Sequence, residues 1–168
     1  MIEIRRLAAA DGRQYLSALA DVLVDCVEGG ASVSFMAPFS KAEAEAFFAD
    51  CLKQEDRIVL AAFDGTKLVG TVQMVPAWPP NQPHRADIAK LLVHRSAREE
   101  GVATQLMGHV ESASRAAGKT LLVLDTVTGD AAERLYTRLG WTSVGVIPNY
   151  ALYPDGRLCD TTVFYKQL

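Results

Sequence analysis

Between Arg85 and Thr126 the apolar pattern changes period twice, and this constrains the fold more than anything else in the chain. Arg85 to Val93 reads as a strand. Val102, Leu106, Val110, Ala113 and Ala117 then step by four or three residues, one face of a helix that Gly118 ends. Thr120 to Thr126 is almost wholly apolar in its middle, as a central strand covered on both faces is. Two strands joined by a helix crossover lie parallel, so the sheet contains one parallel unit. After it, Asp130 and Glu133 take cap and third-helical positions, Leu135 and Leu139 form a stripe, and Gly140 suits a left-handed C-terminal cap.

The flanking segments read as antiparallel. Ile2 to Leu7 alternates apolar and charged residues like a half-buried strand. A helix is expected from Gly12 to Glu28, with Tyr15, Leu19, Val22 and Cys26 on its stripe, and Ser40-Lys41-Ala42-Glu43 has capping-box spacing for a second. Ile58 to Phe63 and Leu68 to Val75 are strands joined at Asp64-Gly65, a hairpin signal. Pro76 to Pro83 holds four prolines and Trp78, too many missing amide donors for a strand, and is expected to be a semi-rigid loop. Two last strands, Trp141 to Val146 and Thr161 to Lys166, are expected on either side of a long connection containing Tyr153-Pro154-Asp155-Gly156. The expected fold is α+β, a mixed and mostly antiparallel sheet of about seven strands with about four helices. At 168 residues with no linker or repeat, one domain is expected.

Charge and cysteine usage exclude several classes of partner. The formal net charge is −3 with both signs interspersed, which offers no basic surface for nucleic acid. No apolar run reaches the roughly 20 residues of a membrane span, and the first residues lack a secretory apolar stretch, so a cytoplasmic location is expected. Cys26, Cys51 and Cys159 are odd in number and far apart, as reduced thiols are, and no metal-ligand spacing is present.

Chemistry concentrates where the parallel unit's first strand meets its helix, at Arg98-Glu99-Glu100-Gly101-Val102-Ala103. The first amides of a helix lack intrahelical acceptors and carry the positive end of its dipole, so a glycine-containing loop there can cradle a phosphate. Arg95 and Arg98 add positive charge nearby. The pattern Arg98-x-x-Gly101-x-Ala103 after Leu91-Leu92-Val93 resembles the acetyl-CoA-binding motif of the GNAT acetyltransferase superfamily. A second ordered stretch, Asp130 to Trp141 with Leu135-Tyr136 and Gly140-Trp141, is similar to the family's A-x-x-L-Y-x-x-x-G-[FW] helix. His84-Arg85-Ala86-Asp87, Lys90-Leu91, Leu124-Asp125-Thr126 and Pro154-Asp155-Gly156-Arg157-Leu158 look like the subgroup that includes the tabtoxin-resistance acetyltransferase.

The resemblance implies an acetyl-CoA-dependent N-acetyltransferase. The pantetheine arm would pair with the backbone of Leu91, Leu92 and Val93, and the pyrophosphate would sit on amides from Arg98 through Glu99, Glu100, Gly101, Val102 and Ala103, with Thr104 in the first turn and Asp130 at the next helix. Many relatives carry glycine or a basic residue where this chain has Glu99 and Glu100. Tyr136 would donate to the coenzyme A sulfur as thiolate develops. Asp87 stands where some relatives carry a base, and simple strand alternation puts it on one face with Ala89, Leu91 and Val93, an apolar setting that would raise its pKa. A salt bridge to Arg85 or Lys90, or a purely substrate-binding role, is the competing reading. Asp125 is an alternative base or an anchor for a substrate ammonium. Asn149 and Tyr150, in a loop after the sixth strand, and Trp78 are further substrate-binding candidates. The expected acceptor is a small-molecule amine, amino-acid-like; an acyl-CoA sensor and a protein acetyltransferase are the rivals. A homodimer is implied by the family's habit of pairing through terminal strands.

Overall fold

The computed structural model describes residues 1–168, Arg13 by its backbone alone. Its strands are β1 (Ile2–Leu7), β2 (Ile58–Asp64), β3 (Lys67–Pro76), β4 (Arg85–Val93), β5 (Leu121–Val127), β6 (Thr142–Leu152) and β7 (Leu158–Gln167). The helices are α1 (Gly12–Glu28), α2 (Lys41–Leu52), α3 (Val102–Ala116) and α4 (Ala131–Arg138). All seven strands form one sheet in the order β1-β2-β3-β4-β5-β7-β6. Every neighbouring pair is antiparallel except β4 and β5, the expected parallel unit.

Burial divides between the two faces of this sheet. On one face Val102, Leu106, Met107 and Val110 of α3 and Tyr136 of α4 pack on Leu60, Val72, Met74, Ile88, Leu122 and Phe164. On the other, Leu19, Leu23 and Val27 of α1 and Phe48 and Leu52 of α2 pack on Val59, Ala61, Phe63 and Leu92. The α2 start is the expected reciprocal cap: Ser40 Oγ accepts from the Glu43 amide at 3.3 Å while Glu43 Oε2 accepts from the Ser40 amide at 2.9 Å. At α4 the expectation fails in detail. Asp130 is the cap residue but its side chain makes no cap bond, and Glu133 reaches back to the Gly129 amide instead.

The C-terminal third differs from the sequence reading. The expected long connection is mostly strand, because β6 and β7 extend to within a five-residue turn, Tyr153 to Arg157, closed by Gly156 N donating to Tyr153 O at 2.9 Å. Pro148 and Asn149 read as strand breakers. They sit instead where the β6–β7 register shifts between Ile147 and Ala151, on the strand at the sheet's edge, where a proline costs no ladder bond.

Candidate active site

Two irregularities of β4 build the site. The strand pairs with β5 only over Arg85–Asp87 against Leu121–Val123, and beyond that the two strands part. From Ile88 to Val93 the β5-facing edge of β4 is therefore unpaired by the sheet, a row of backbone donors and acceptors next to a widening gap. The second irregularity is a bulge: the register with β3 shifts between Thr71 and Gln73, and Lys90 there has φ +53°.

That bulge corrects the face assignment made from alternation. One extra residue flips everything after it to the other side. Leu92, opposite Thr71, now shares the α1/α2 face with Asp87 and Ala89, while Leu91 and Val93 pack against the α3/α4 cluster. Asp87 does not lie among apolar neighbours either, since Arg85 Nη1 donates to its Oδ1 at 2.5 Å.

The loop from β4 to α3 has the form of an anion cradle. Glu99 and Gly101 both adopt left-handed backbone, φ +66° and +77°, and Gly101 is the N-cap residue of α3 with no side-chain cap. Val102, Ala103 and Thr104 thus begin a helix whose first amides await acceptors. A Cβ on Gly101 would meet nothing within 4 Å, so it is the left-handed backbone and not crowding that favours glycine at this turn. Glu99 and Glu100 are exposed. The nearby arginines are partly committed to protein: Arg95 holds the buried Asp25 through its backbone amide and guanidinium, and Arg98 Nε donates to Val93 O at 3.2 Å, tying the loop to the end of β4. The buried Asp25 carboxyl stays below the ordinary range despite burial, because those Arg95 donors and the neighbouring His94 favour its charge.

Across the gap from Lys90 stands Asp125, two residues past the last β4-paired position of β5. Surrounding protein pushes its carboxyl up, with Lys90 opposing and Asp87 reinforcing the shift. Tyr136 approaches from the opposite face, 5% exposed and in ring contact with Trp141 and Phe164 at centroid distances of 6.0 and 5.9 Å. Burial, reinforced by the Asp125 charge, pushes its phenol far above the ordinary tyrosine range, so it is a donor at every working pH. Its hydroxyl has no hydrogen-bond partner among the described residues.

On the α1/α2 face a cleft of about 510 Å³ opens over β3 and β4, walled by Ser34 and Phe35 of the α1–α2 connection, by Phe47 of α2, and by Arg57, Gln73 and Lys90. Asp87 also lines it. The connection that walls it is pinned to the β6–β7 turn by Ser32 Oγ donating to Leu152 O at 2.6 Å and Ala37 N to Pro154 O at 3.1 Å. Other candidates lie elsewhere. Trp78 is 89% exposed and does not line this cleft, and neither does the rest of the Pro76–Pro83 loop. Asn149 and Tyr150 belong to β6, not to a loop; the Asn149 amide donates to Asp160 Oδ1 at 2.8 Å and the Tyr150 side chain faces solvent. Arg57, Gln73 and the α1–α2 connection were missed by sequence reading, although a glutamine inside the otherwise apolar run Leu68–Val75 was a visible signal.

The mixed sheet thus carries one splayed parallel pair, an uncapped helix start after the splayed strand, and a buried phenol near enough to feel the Asp125 charge. The Acetyltransferase (GNAT) family matches residues 19–141, and the chain belongs to that family. It is an N-acetyltransferase whose cosubstrate is acetyl-CoA. Solved structures share the whole fold. An N-acetyltransferase from Staphylococcus aureus Mu50 is 19% identical with a TM-score of 0.83, covering 99% of this chain and 98% of its own. The ribosomal-protein-alanine N-acetyltransferase from Brucella melitensis is 21% identical with a TM-score of 0.83, covering 99% of each chain. The protein yncA from Salmonella typhimurium, solved with its cofactor acetyl-CoA, is 20% identical with a TM-score of 0.82, covering 99% of this chain and 94% of its own. Among the described residues no group of three His, Cys, Asp or Glu is placed to hold a metal ion, and no helix is long and apolar enough to cross a membrane.

Proposed function

We propose that this enzyme acetylates the primary amine of a small molecule, the amine attacking the thioester directly while both substrates are bound. The observation that carries this reading is the compact cleft beside the splay, about 510 Å³, in which Ser34, Arg57, Gln73, Asp87 and Lys90 converge as they would around a small polar amine. The subgroup motifs around Asp87, Asp125 and Asp155 favour an amino-acid-like acceptor, of the kind a tabtoxin-type resistance enzyme takes.

The residues divide the work as follows. The β4 edge from Leu91 to Val93 pairs with the extended arm of the cosubstrate, the Val93 amide polarises the thioester carbonyl, and the amides from Arg98 to Thr104 take the pyrophosphate. Asp130, its side chain free of any cap bond, lies at the α4 start beside the splay. An alkyl ammonium with a pKa of about 10 must lose a proton before it attacks. Asp125 accepts that proton and Asp87, steadied by Arg85, holds the ammonium. Tyr136 donates to the departing sulfur.

The three buried thiols Cys26, Cys51 and Cys159 remain unpaired, which supports a cytoplasmic setting. β6 exposes Val144, Val146 and Ile147 at the sheet's edge, and a second copy of the chain is the partner we assign to it.

Calorimetric titration of acetyl-CoA, followed by a thiol-release assay over amino acids, small amines and N-terminal peptides, tests the proposal. Release with small amines is the expected result. Release with peptides alone would make the acceptor a protein, and tight acetyl-CoA binding with no release from any amine would make the chain a sensor.

A further inference from the structure

The acceptor cleft contains two cations without a carboxylate in salt-bridge contact and a buried amide donor without a hydrogen bond. Gln73 is fully buried, and its Oε1 accepts from Arg57 Nη1 at 2.7 Å. Arginine can only donate, so this bond fixes which end of the amide is which and leaves Gln73 Nε2 as the donor without a partner. The neighbouring Cys51 sulfur receives Arg57 Nη1 at 3.3 Å and also lies close to the Gln73 amide, but a thiol is too weak an acceptor to satisfy a buried amide donor. An orphaned buried donor destabilises the fold, and a ligand oxygen would relieve it.

Lys90 stands in the same cleft by virtue of the bulge that strains its backbone to φ +53°. Its ammonium touches Ser34 Oγ at 3.0 Å and lies 5.7 Å from the centroids of both Phe35 and Phe47. Among the described residues no carboxylate is within salt-bridge distance of either Lys90 or Arg57. Burial, with the Arg57 charge adding to it, pushes the Lys90 ammonium below the ordinary lysine range against the opposing pull of Asp125. The nearest acids are Asp125, whose charge Lys90 feels across the gap, and Asp87, which lines the cleft paired with Arg85.

We infer that Arg57, Gln73 Nε2 and Lys90 form a subsite for a carboxylate or similar oxyanion carried by the acetyl acceptor, so that the acceptor is a compact zwitterion, its anionic end here and its amine at Asp125. This rests on the small-molecule reading above and narrows it. Three charge-assisted donors on one anion also explain why a polar cluster is buried against an aromatic wall, where alone it would only destabilise.

The test uses the coenzyme A complex of the full chain and a panel of N-acetyl amino acids, products that keep the carboxylate, against their primary amides. Calorimetry is expected to show the acids binding about tenfold or more tighter than the amides, the value of one to two hydrogen bonds to a charged group. Arg57→Gln should erase the preference. Gln73→Glu, which pairs with Arg57 and removes the orphan donor, should erase it too while leaving the melting temperature unchanged or higher. Equal binding of acids and amides, no binding of any acid, or a preference that survives both variants would overturn the subsite. If the thiol-release panel shows small amines acetylated without regard to charge, the subsite fails and the small-molecule reading stands; release from peptides alone sinks both.

Discussion

Arg85 closes on Asp87 of its own strand, Nη1 to Oδ1 2.5 Å, so the first of the two candidate acids already has a resident cation. The second, Asp125, has none among the described residues. The two therefore answer differently to the same substitution. Asp125→Asn is expected to lower kcat by about a hundredfold or more and to flatten the rising limb of the pH–rate profile. Asp87→Asn should raise the KM for the amine and leave the limb in place. A flattened limb in Asp87→Asn with a normal one in Asp125→Asn would reverse the assignment.

Asp125 also predicts a stability profile. Its carboxyl is raised in the folded protein, so the protonated form suits the fold better than the ion. The corresponding stability is fully present below the unfolded value, near pH 4, and is lost as the pH rises through the higher folded value. Asp125→Asn mimics the neutral acid. It is expected to melt higher than wild type at pH 7 and together with it at about pH 3, which calorimetric scans at the two pH values would check.

Tyr136→Phe removes a hydroxyl without a protein partner and keeps a ring that packs on Trp141 and Phe164. Turnover should fall by about ten- to a hundredfold, with acetyl-CoA affinity and melting temperature preserved. Unchanged turnover would remove the phenol from the chemistry.

Glu99 holds a left-handed backbone that glycine adopts without strain, and places a negative charge beside the cradle. Glu99→Gly is expected to tighten acetyl-CoA binding a few-fold by removing a like charge from beside the pyrophosphate, with little change in stability, because relief of the left-handed backbone offsets a lost carboxylate at the helix N-terminus, worth about 0.3–1 kcal/mol. Unchanged binding in calorimetry would mean that Glu99 points away from the cosubstrate, and weaker binding would overturn the repulsion.

Gly70 faces the end of β4 at very close range. A Cβ there would lie 2.9 Å from Leu92 O and 3.2 and 3.3 Å from Leu106 and Val102. Gly70→Ala is expected to cost about 1–3 kcal/mol by denaturant unfolding and to weaken acetyl-CoA binding, because the only relief is to move β4 or α3. A variant as stable as wild type would show that this junction is softer than its spacing implies.

What was legible in the sequence followed from periodicity. The stripe of α1, the cap at Ser40, the Asp64-Gly65 hairpin and the parallel unit all lie within a residue or two of their expected places. Two of the misreadings share one cause, an irregularity in a strand. A bulge leaves no mark in composition, so Lys90 gave no warning that Leu91 and Val93 change faces, and Pro148 and Asn149 looked like a loop when they occupy a tolerant edge. The acceptor cleft was the least readable part. It joins Ser34, Arg57, Gln73 and Lys90 from four separate segments, and no local spacing brings such residues together.

The short seam between β4 and β5 has an evolutionary consequence. On the proposed pairing, the donor substrate is held largely by main-chain atoms, which every sequence possesses, and so makes few demands on which side chains surround it. The cleft on the other face depends wholly on side chains. Substitutions there can retune the choice of acceptor while the machinery that holds the acetyl donor is inherited unchanged.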